Sequence, residues 1–213
     1  MIDPRGHASG VGLPMRGDLR IIADMIEPGS RVLDIGCGDG ALLDFLVHEK
    51  NIDGRGIELS QAGVNACVTH GLSVIQGDAD TDLSDYPDQA FDYAVLSQTL
   101  QATRNPQELL YQLVRIARRA IVSFTNFGHW RMRWSLTWHG RMPAIGGDDI
   151  MWYDTPNIHL CTIRDFVELC RALDLKVERA VSLSRTGSSW EISRIGAAAN
   201  LLGQQGIFCL TRN

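Results

Sequence analysis

Val32-Leu33-Asp34-Ile35-Gly36-Cys37-Gly38-Asp39-Gly40 is the stretch from which the architecture of this chain can be read. Its apolar and β-branched opening predicts a short strand, Arg31 to Ile35. Three glycines at alternate positions then allow a tight turn and let the backbone come within van der Waals distance of a ligand, where side chains would block the approach. From Ala41 to Lys50, Leu42, Leu43, Phe45 and Leu46 give the apolar stripe of a helix. Strand, glycine loop and helix together open a doubly wound α/β sheet, whose ligands sit beyond the carboxyl ends of the strands.

Working outward, the same alternation continues. Upstream, Leu19, Ile21, Ile22, Met25 and Ile26 recur at helical spacing until Pro28-Gly29-Ser30 stops them. Downstream, Gly54 to Leu59 reads as a strand, and Ser60 to His70 as a helix capped by Ser60 and closed by Gly71. Leu72 to Gln76 and Phe91 to Ser97 are further strands, and Asn105-Pro106 starts a helix through Arg118. Ala120 to Phe124 is the next strand, Thr162 caps a helix through Leu173, and Lys176 to Leu183 and Gly206 to Arg212 are the last two strands, with Ala197 to Leu202 helical between them. The predicted fold is α/β: a doubly wound, Rossmann-like, mostly parallel seven-stranded sheet with helices on both faces and one antiparallel member near its end. Residues 1–15, rich in glycine and proline, read as a flexible leader, and 16–213 as a single domain. The pattern breaks at 127–160, an aromatic insertion holding Trp130, Trp134, Trp138, Trp152 and Tyr153 with His129, His139 and His159.

Bulk properties exclude several function classes. With 213 residues, 45% hydrophobic and 21% charged, the chain suits one well-cored domain, and a net charge of -5 provides no footprint for nucleic acid. The basic run Arg115-Ile116-Ala117-Arg118-Arg119 reads as the cationic end of a helix. Five scattered cysteines give neither a disulfide framework nor a metal site. No apolar run approaches the roughly twenty residues of a membrane span. Met1 to His7 lack the apolar core of a signal peptide, so a cytoplasmic protein without membrane attachment is expected.

The glycine loop alone is ambiguous. Gly36-Cys37-Gly38-Asp39-Gly40-Ala41 also satisfies the dinucleotide fingerprint, which keeps a nicotinamide or flavin cofactor, and a dehydrogenase, in view. Asp34 argues against that class, because a pyrophosphate repels a carboxylate whereas a sulfonium or ammonium group attracts one. Glu58, ending the second strand, has two acceptor oxygens for a ribose diol. Asp78, after the third strand, is placed to accept from an adenine amino group. Cys37 reads as a small loop residue contributing its backbone, with no histidine near it in sequence to make it a nucleophile.

These segments, Asp34 to Gly40, Gly56-Ile57-Glu58 and Gly77-Asp78-Ala79, resemble the class I S-adenosylmethionine-dependent methyltransferases. Leu96-Ser97-Gln98-Thr99-Leu100-Gln101, Ser123 to Trp130 and Trp152 to His159 further resemble the methionine biosynthesis family MetW, from Arg16 onward. Pro143 to Ile150 departs from that family's longer, more apolar connection. The resemblance implies S-adenosylmethionine, or S-adenosylhomocysteine as product, held by Asp34, Gly36, Cys37, Gly38, Glu58, Leu59, Asp78, Ala79 and Ser97. It also implies an association with the homoserine O-acyltransferase called MetX. Two functions follow: a methyltransferase of methionine biosynthesis, or a non-catalytic accessory subunit that binds S-adenosylmethionine and activates MetX. For a catalytic base the aromatic insertion offers His129, Tyr153 and His159, each more easily read as a packing residue.

Overall fold

The central strand β1 (Arg31–Ile35) is buried from Val32 to Ile35, and its side chains alternate between two apolar layers. Leu33 and Ile35 join one core with Leu96, Phe124, Phe166 and Phe208, while Val32 joins the other with Ile22, Leu46, Val95 and Ile121. This computed structural model describes residues 16–142, 152–184, 187–192 and 197–213; the expectations for 1–15 and for Pro143 to Ile150 fall outside them.

The elements follow in chain order as α1 (Gly17–Met25), β1, α2 (Ala41–Lys50), β2 (Asp53–Glu58), α3 (Gln61–Thr69), β3 (Val74–Gln76), β4 (Phe91–Ser97), α4 (Pro106–Ile116), β5 (Ala117–Thr125), α5 (Trp130–His139), α6 (Ile163–Ala172), β6 (Leu175–Leu183), β7 (Ser189–Glu191), α7 (Ala197–Leu202) and β8 (Gln205–Arg212). They form one sheet in the order β3-β2-β1-β4-β5-β8-β6-β7. β1 pairs in parallel with β2 and with β4, so the strand order reverses beside it. This places the glycine loop at the switch point. β8 runs antiparallel between β5 and β6.

The sheet has eight strands rather than the seven expected. The extra one, β7, is a three-residue exposed edge strand antiparallel to β6, too short to show a period in the sequence. The helix expected to run through Arg118 stops at Ile116, because Ala117 and Arg119 enter the ladder opposite Phe91 and Tyr93. The basic run therefore straddles two elements: Arg115 stands in the last turn of α4 as expected, donating to the carbonyls of Leu83 and Tyr86 and pairing with Asp88, while Arg118 and Arg119 lie on β5. The aromatic insertion contains a helix, α5, that the broken pattern concealed. No helix among the described residues is long and apolar enough to cross a membrane.

On the α4/α6 face, Phe124, Phe166 and Phe208 pack with ring centroids 4.7 to 5.8 Å apart. Each such pair contributes about 0.5–1.5 kcal/mol beyond its buried area. Against this packed face the C-terminal edge of the sheet is fixed, and the candidate site stands on that edge.

Candidate functional site

The loop after β1 is held in place by its neighbours. Gly36 N–H and Cys37 N–H both donate to the Ile57 carbonyl, at 2.8 and 3.2 Å, continuing the β1–β2 ladder past the end of the strand. Gly36 takes φ +70°, and a Cβ there would stand 2.6 Å from Thr99 Oγ1, so only glycine fits. Gly38, at φ +59°, has no atom within 4 Å of where its Cβ would lie, which leaves that side open to a ligand. Asp44 N–H then reaches the Gly40 carbonyl at 2.8 Å and α2 begins.

Glu58, at the end of β2, fastens this loop to the next one. Its Oε2 accepts from Gly38 N–H and its Oε1 from Ser60 N–H, both at 2.9 Å. One lone pair on each oxygen is used in this way, and the other remains for a ligand hydroxyl. Leu59 beside it is 65% exposed, an apolar surface bordering the same edge. Ala79 packs partly against the core below.

Asp34 is the most unusual side chain at this edge. Only 2% of it is exposed, and its Oδ1 is buried with no hydrogen-bond partner among the described residues. Burial pushes its pKa up to about 7, the charge of Glu58 adds to the rise, and the Arg16 guanidinium opposes it. A buried unpaired carboxylate costs free energy unless something else meets it. It lies on a cleft of about 180 Å³ lined also by Arg16, Gly36, Cys37, Gly38, Asp39 and Ser97. Arg16 is held over this cleft by α1 and β4. Its Nε lies 3.2 Å from Asp18 Oδ1, and its Nη2 donates to Asp18 Oδ2 at 3.3 Å and to Ser97 Oγ at 3.0 Å.

The cleft thus gathers Asp34, Gly36, Cys37, Gly38 and Ser97 from the expected set, with Glu58 fastened to the loop that lines it. Asp78 stands at the end of β3 as expected, but its Oδ1 accepts from Asp80 N–H at 2.9 Å and its Oδ2 lies 4.0 Å from Arg104 Nη2. Cys37 is packed: its Sγ is 3.9 Å from Cys67 Sγ, and burial, followed by the charge of Asp34, pushes its thiol pKa up. A thiol so disfavoured as thiolate is a filler. Of the three candidate bases, none lines this cleft. His129 caps α5 by accepting from Arg131 N–H, with its pKa lowered by burial and then by Arg131. Tyr153 is 65% exposed and stands edge-on to Trp152. His159 lines a different cavity, of about 230 Å³, beside Gln101, Cys161 and Phe166.

Sequence reasoning missed Arg16, Asp18 and two buried amides. Asp18, 2% exposed in the first turn of an apolar helix, was the available signal for an ion pair with Arg16. Gln101, also 2% exposed, donates to the Thr125 carbonyl and accepts from Thr125 N–H, and its own carbonyl accepts from Ile158 N–H and His159 N–H. Asn126, fully buried, accepts from Gly128 N–H and Ile163 N–H and donates to the carbonyls of Asn200 and Gly203. The partners that define the two amides, Thr125 and Ile158 for Gln101 and Ile163, Asn200 and Gly203 for Asn126, lie too far away in sequence for any local pattern to reveal.

The family model described as "Methionine biosynthesis protein MetW" matches residues 16–210. The chain belongs to the MetW family. Over 173 residues it is 36% identical to the bifunctional methionine biosynthesis protein MetXA/MetW of Rhodopirellula baltica; the match covers 77% of this chain but only 28% of that relative. Among solved structures, an S-adenosylmethionine-dependent methyltransferase from Mesorhizobium loti superposes with a TM-score of 0.67 at 16% identity, over 92% of this chain and 98% of the other. The cyclase SpnF superposes at 0.62 with 18% identity, over 91% and 80%. The MetW chain therefore has the class I methyltransferase fold, a fold that is also found in a protein named for a different reaction.

Proposed function

We propose that this MetW chain binds S-adenosylmethionine and S-adenosylhomocysteine at the glycine-loop cleft, with residues 16–213 acting as one ligand-binding unit. The observation that carries this reading is the buried, unpaired Asp34 carboxylate beside Arg16. An α-amino acid end presents an ammonium and a carboxylate together, and the cleft offers one partner of each sign. Asp34 takes the ammonium, Arg16 the carboxylate, and the open backbone at Gly36 and Gly38 lies against the chain between them. The unused lone pairs of Glu58 accept from the ribose hydroxyls, Leu59 and Ala79 provide an apolar border, Ser97 keeps Arg16 in place, and Asp78 stands toward the purine. With Asp34 and Glu58 set against Arg16, the cleft suits a cationic sulfonium and repels a pyrophosphate.

S-adenosylmethionine, when bound, supplies an electrophilic methyl group, for which a protein need only position an acceptor. Of the two uses of such a site we favour the accessory one, because the Rhodopirellula relative joins MetW to MetXA in one chain. His129, Tyr153 and His159 stand away from the cleft, which leaves positioning as the only help this chain would give to a transfer. We infer a ligand-binding accessory subunit of the homoserine O-acyltransferase MetX. Methyl transfer is the second reading, supported by the methyltransferases that share the fold.

Calorimetric titration tests the site. S-adenosylmethionine and S-adenosylhomocysteine bind and NAD does not, and Asp34→Ala and Glu58→Ala each lose about 1.5–3 kcal/mol of binding free energy, the value of a charged hydrogen bond. Unchanged affinity in both variants refutes the assignment. Turnover to S-adenosylhomocysteine with a defined acceptor refutes the accessory reading and leaves the site standing.

A further inference from the structure

Among the described residues, one helix leaves its largest side chains exposed. α5 (Trp130–His139) buries none of its residues. Trp130, Trp134 and Trp138 recur every four positions and so form one stripe along it, 47%, 55% and 71% exposed. Trp134 and Trp138 stack at 4.8 Å and 6°, an ordered apolar surface facing solvent.

Cations outnumber carboxylates on and beside α5, where the one carboxylate, Glu168, pairs with Arg164 at 3.1 Å. The Arg131 guanidinium lies 5.6 Å from the Trp130 ring centroid. Arg133 lines a cavity of about 440 Å³ between α5, α6 and α7, together with Arg164, Arg171 and a single carboxylate, Glu168. From residue 127 to 142 there is no acidic residue, in a chain whose net charge is -5. The base of the helix is rigid: Arg133 Nε donates to the Gly128 carbonyl at 2.6 Å, and Gly128 N–H is held by Asn126 at the end of β5.

We propose that the tryptophan stripe of α5, with Arg131 and the arginine-lined cavity that α5 shares with α6 and α7, is the docking surface for the MetX acyltransferase. This rests on the accessory reading above. Tryptophan and arginine are the residues that most often dominate binding energy at interfaces, and a contiguous exposed apolar patch on an otherwise ordinary surface marks a contact site. Its charge calls for a partner patch that is apolar at the centre and acidic around it. A second copy related by a twofold axis does not meet that demand, because α5 against α5 brings Arg131 and Arg133 of both chains together with no carboxylate from either helix. The Rhodopirellula relative points instead to a different protein, since it carries MetXA in the same chain as its MetW part. Fusion keeps two modules at high effective concentration, which benefits partners that otherwise meet by docking.

The test uses the full chain and a purified MetXA-type homoserine O-acyltransferase expressed separately, with complex formation read by calorimetry and by size-exclusion chromatography. Two double variants are compared with the wild type: Trp134→Ser with Trp138→Ser, and Arg131→Glu with Arg171→Glu. The expected result is a wild-type complex that each variant weakens about 30-fold or more, with melting temperature and S-adenosylhomocysteine affinity unchanged. If the variants bind the acyltransferase as the wild type does, the surface is wrong and the partnership stands. If the wild type forms no complex, the accessory reading fails with it. A fall in melting temperature in the tryptophan variant, or a wild-type dimer that this variant splits, overturns the proposal by assigning the indoles to the protein's own fold or to self-association.

Discussion

At the scale of single residues, Asp34 is a stability defect at the proposed binding site, and its titration exposes that. In the folded chain its carboxyl stays protonated up to about pH 7, whereas in the unfolded chain it ionises from the ordinary 3.8. The native state therefore binds the extra proton between these values, and stability falls as pH rises through that window and is level above it. The loss amounts to about 4 kcal/mol at most. Asp34→Asn removes it: at pH 7.5 the unliganded variant unfolds at higher denaturant than the wild type, and the fall between pH 4 and 7 disappears from its urea midpoints. Ligand binding responds in the opposite direction. A cationic ligand requires the ionised carboxylate, so affinity for S-adenosylmethionine rises with pH, by up to about tenfold per unit, and levels off above 7. A flat affinity profile from pH 5.5 to 8 would contradict a contact between the ligand's cation and Asp34. Gly36 is constrained differently. Gly36→Ala combines φ +70° with a Cβ 2.6 Å from Thr99 Oγ1, so it destabilises by roughly 1–3 kcal/mol. Adding Thr99→Ala recovers the steric part and leaves the backbone part, which paired denaturation curves separate.

At the scale of elements, what the sequence disclosed depended on how local the cause was. The glycine loop, its strand and α2 could be read with correct boundaries because every signal, from the β-branched run to the leucine stripe, lies within about twenty residues. Ser60 and Thr162 were read as caps, and both accept the expected backbone N–H; Thr162 forms a full capping box with Asp165. Where pairing over long distances set the outcome, local reading went wrong. Helical periodicity through Arg118 lost to the ladder that β5 makes with β4, and β7 exists only because β6 offers it an edge. α5 was hidden for a different reason: Trp130, Met132, Trp134, Leu136 and Trp138 alternate with polar residues, so the apolar positions fall on more than one helix face and the tryptophan stripe does not stand out. Residues at and around the candidate cleft divided in the same way. The acids at strand ends could be found, but Arg16 enters the cleft from α1, and its contact with Ser97 spans 81 positions. Asn126 is the clearest such case, joining β5, α6 and α7 through four hydrogen bonds. Asn126→Ala leaves four buried backbone groups unpaired and costs about 3 kcal/mol or more, whereas Thr162→Ala costs about 1 kcal/mol, a difference that chemical denaturation resolves.

At the scale of the whole molecule, the question is whether the proposed ligand site and the proposed docking surface know of each other. Both stand on the C-terminal edge of the sheet, and a chain of contacts connects them. Arg16 bonds Ser97 at the end of β4; the next residue, Gln98, is held at φ +57° with its N–H on the Ser123 carbonyl and its Oε1 accepting from Thr125 Oγ1. Thr125 leads to Asn126, which fixes Gly128 and so the base of α5. A ligand carboxylate that draws Arg16 away from Ser97 acts on the first member of this chain. Contiguity is not coupling, but coupling has a thermodynamic signature that contiguity lacks. If S-adenosylmethionine changes the affinity for MetX by some factor, MetX must change the affinity for S-adenosylmethionine by the same factor. For a ligand-responsive accessory subunit we expect that factor to be about 5 to 150, or 1–3 kcal/mol. Four calorimetric titrations, each partner into this chain with and without the other at saturation, measure it from both directions. Thr125→Val, which removes the hydroxyl bonded to Gln98, should reduce the factor in both directions while changing each separate affinity less. A factor of one in the wild type would mean that MetX is docked by a subunit whose ligand plays no part in the docking.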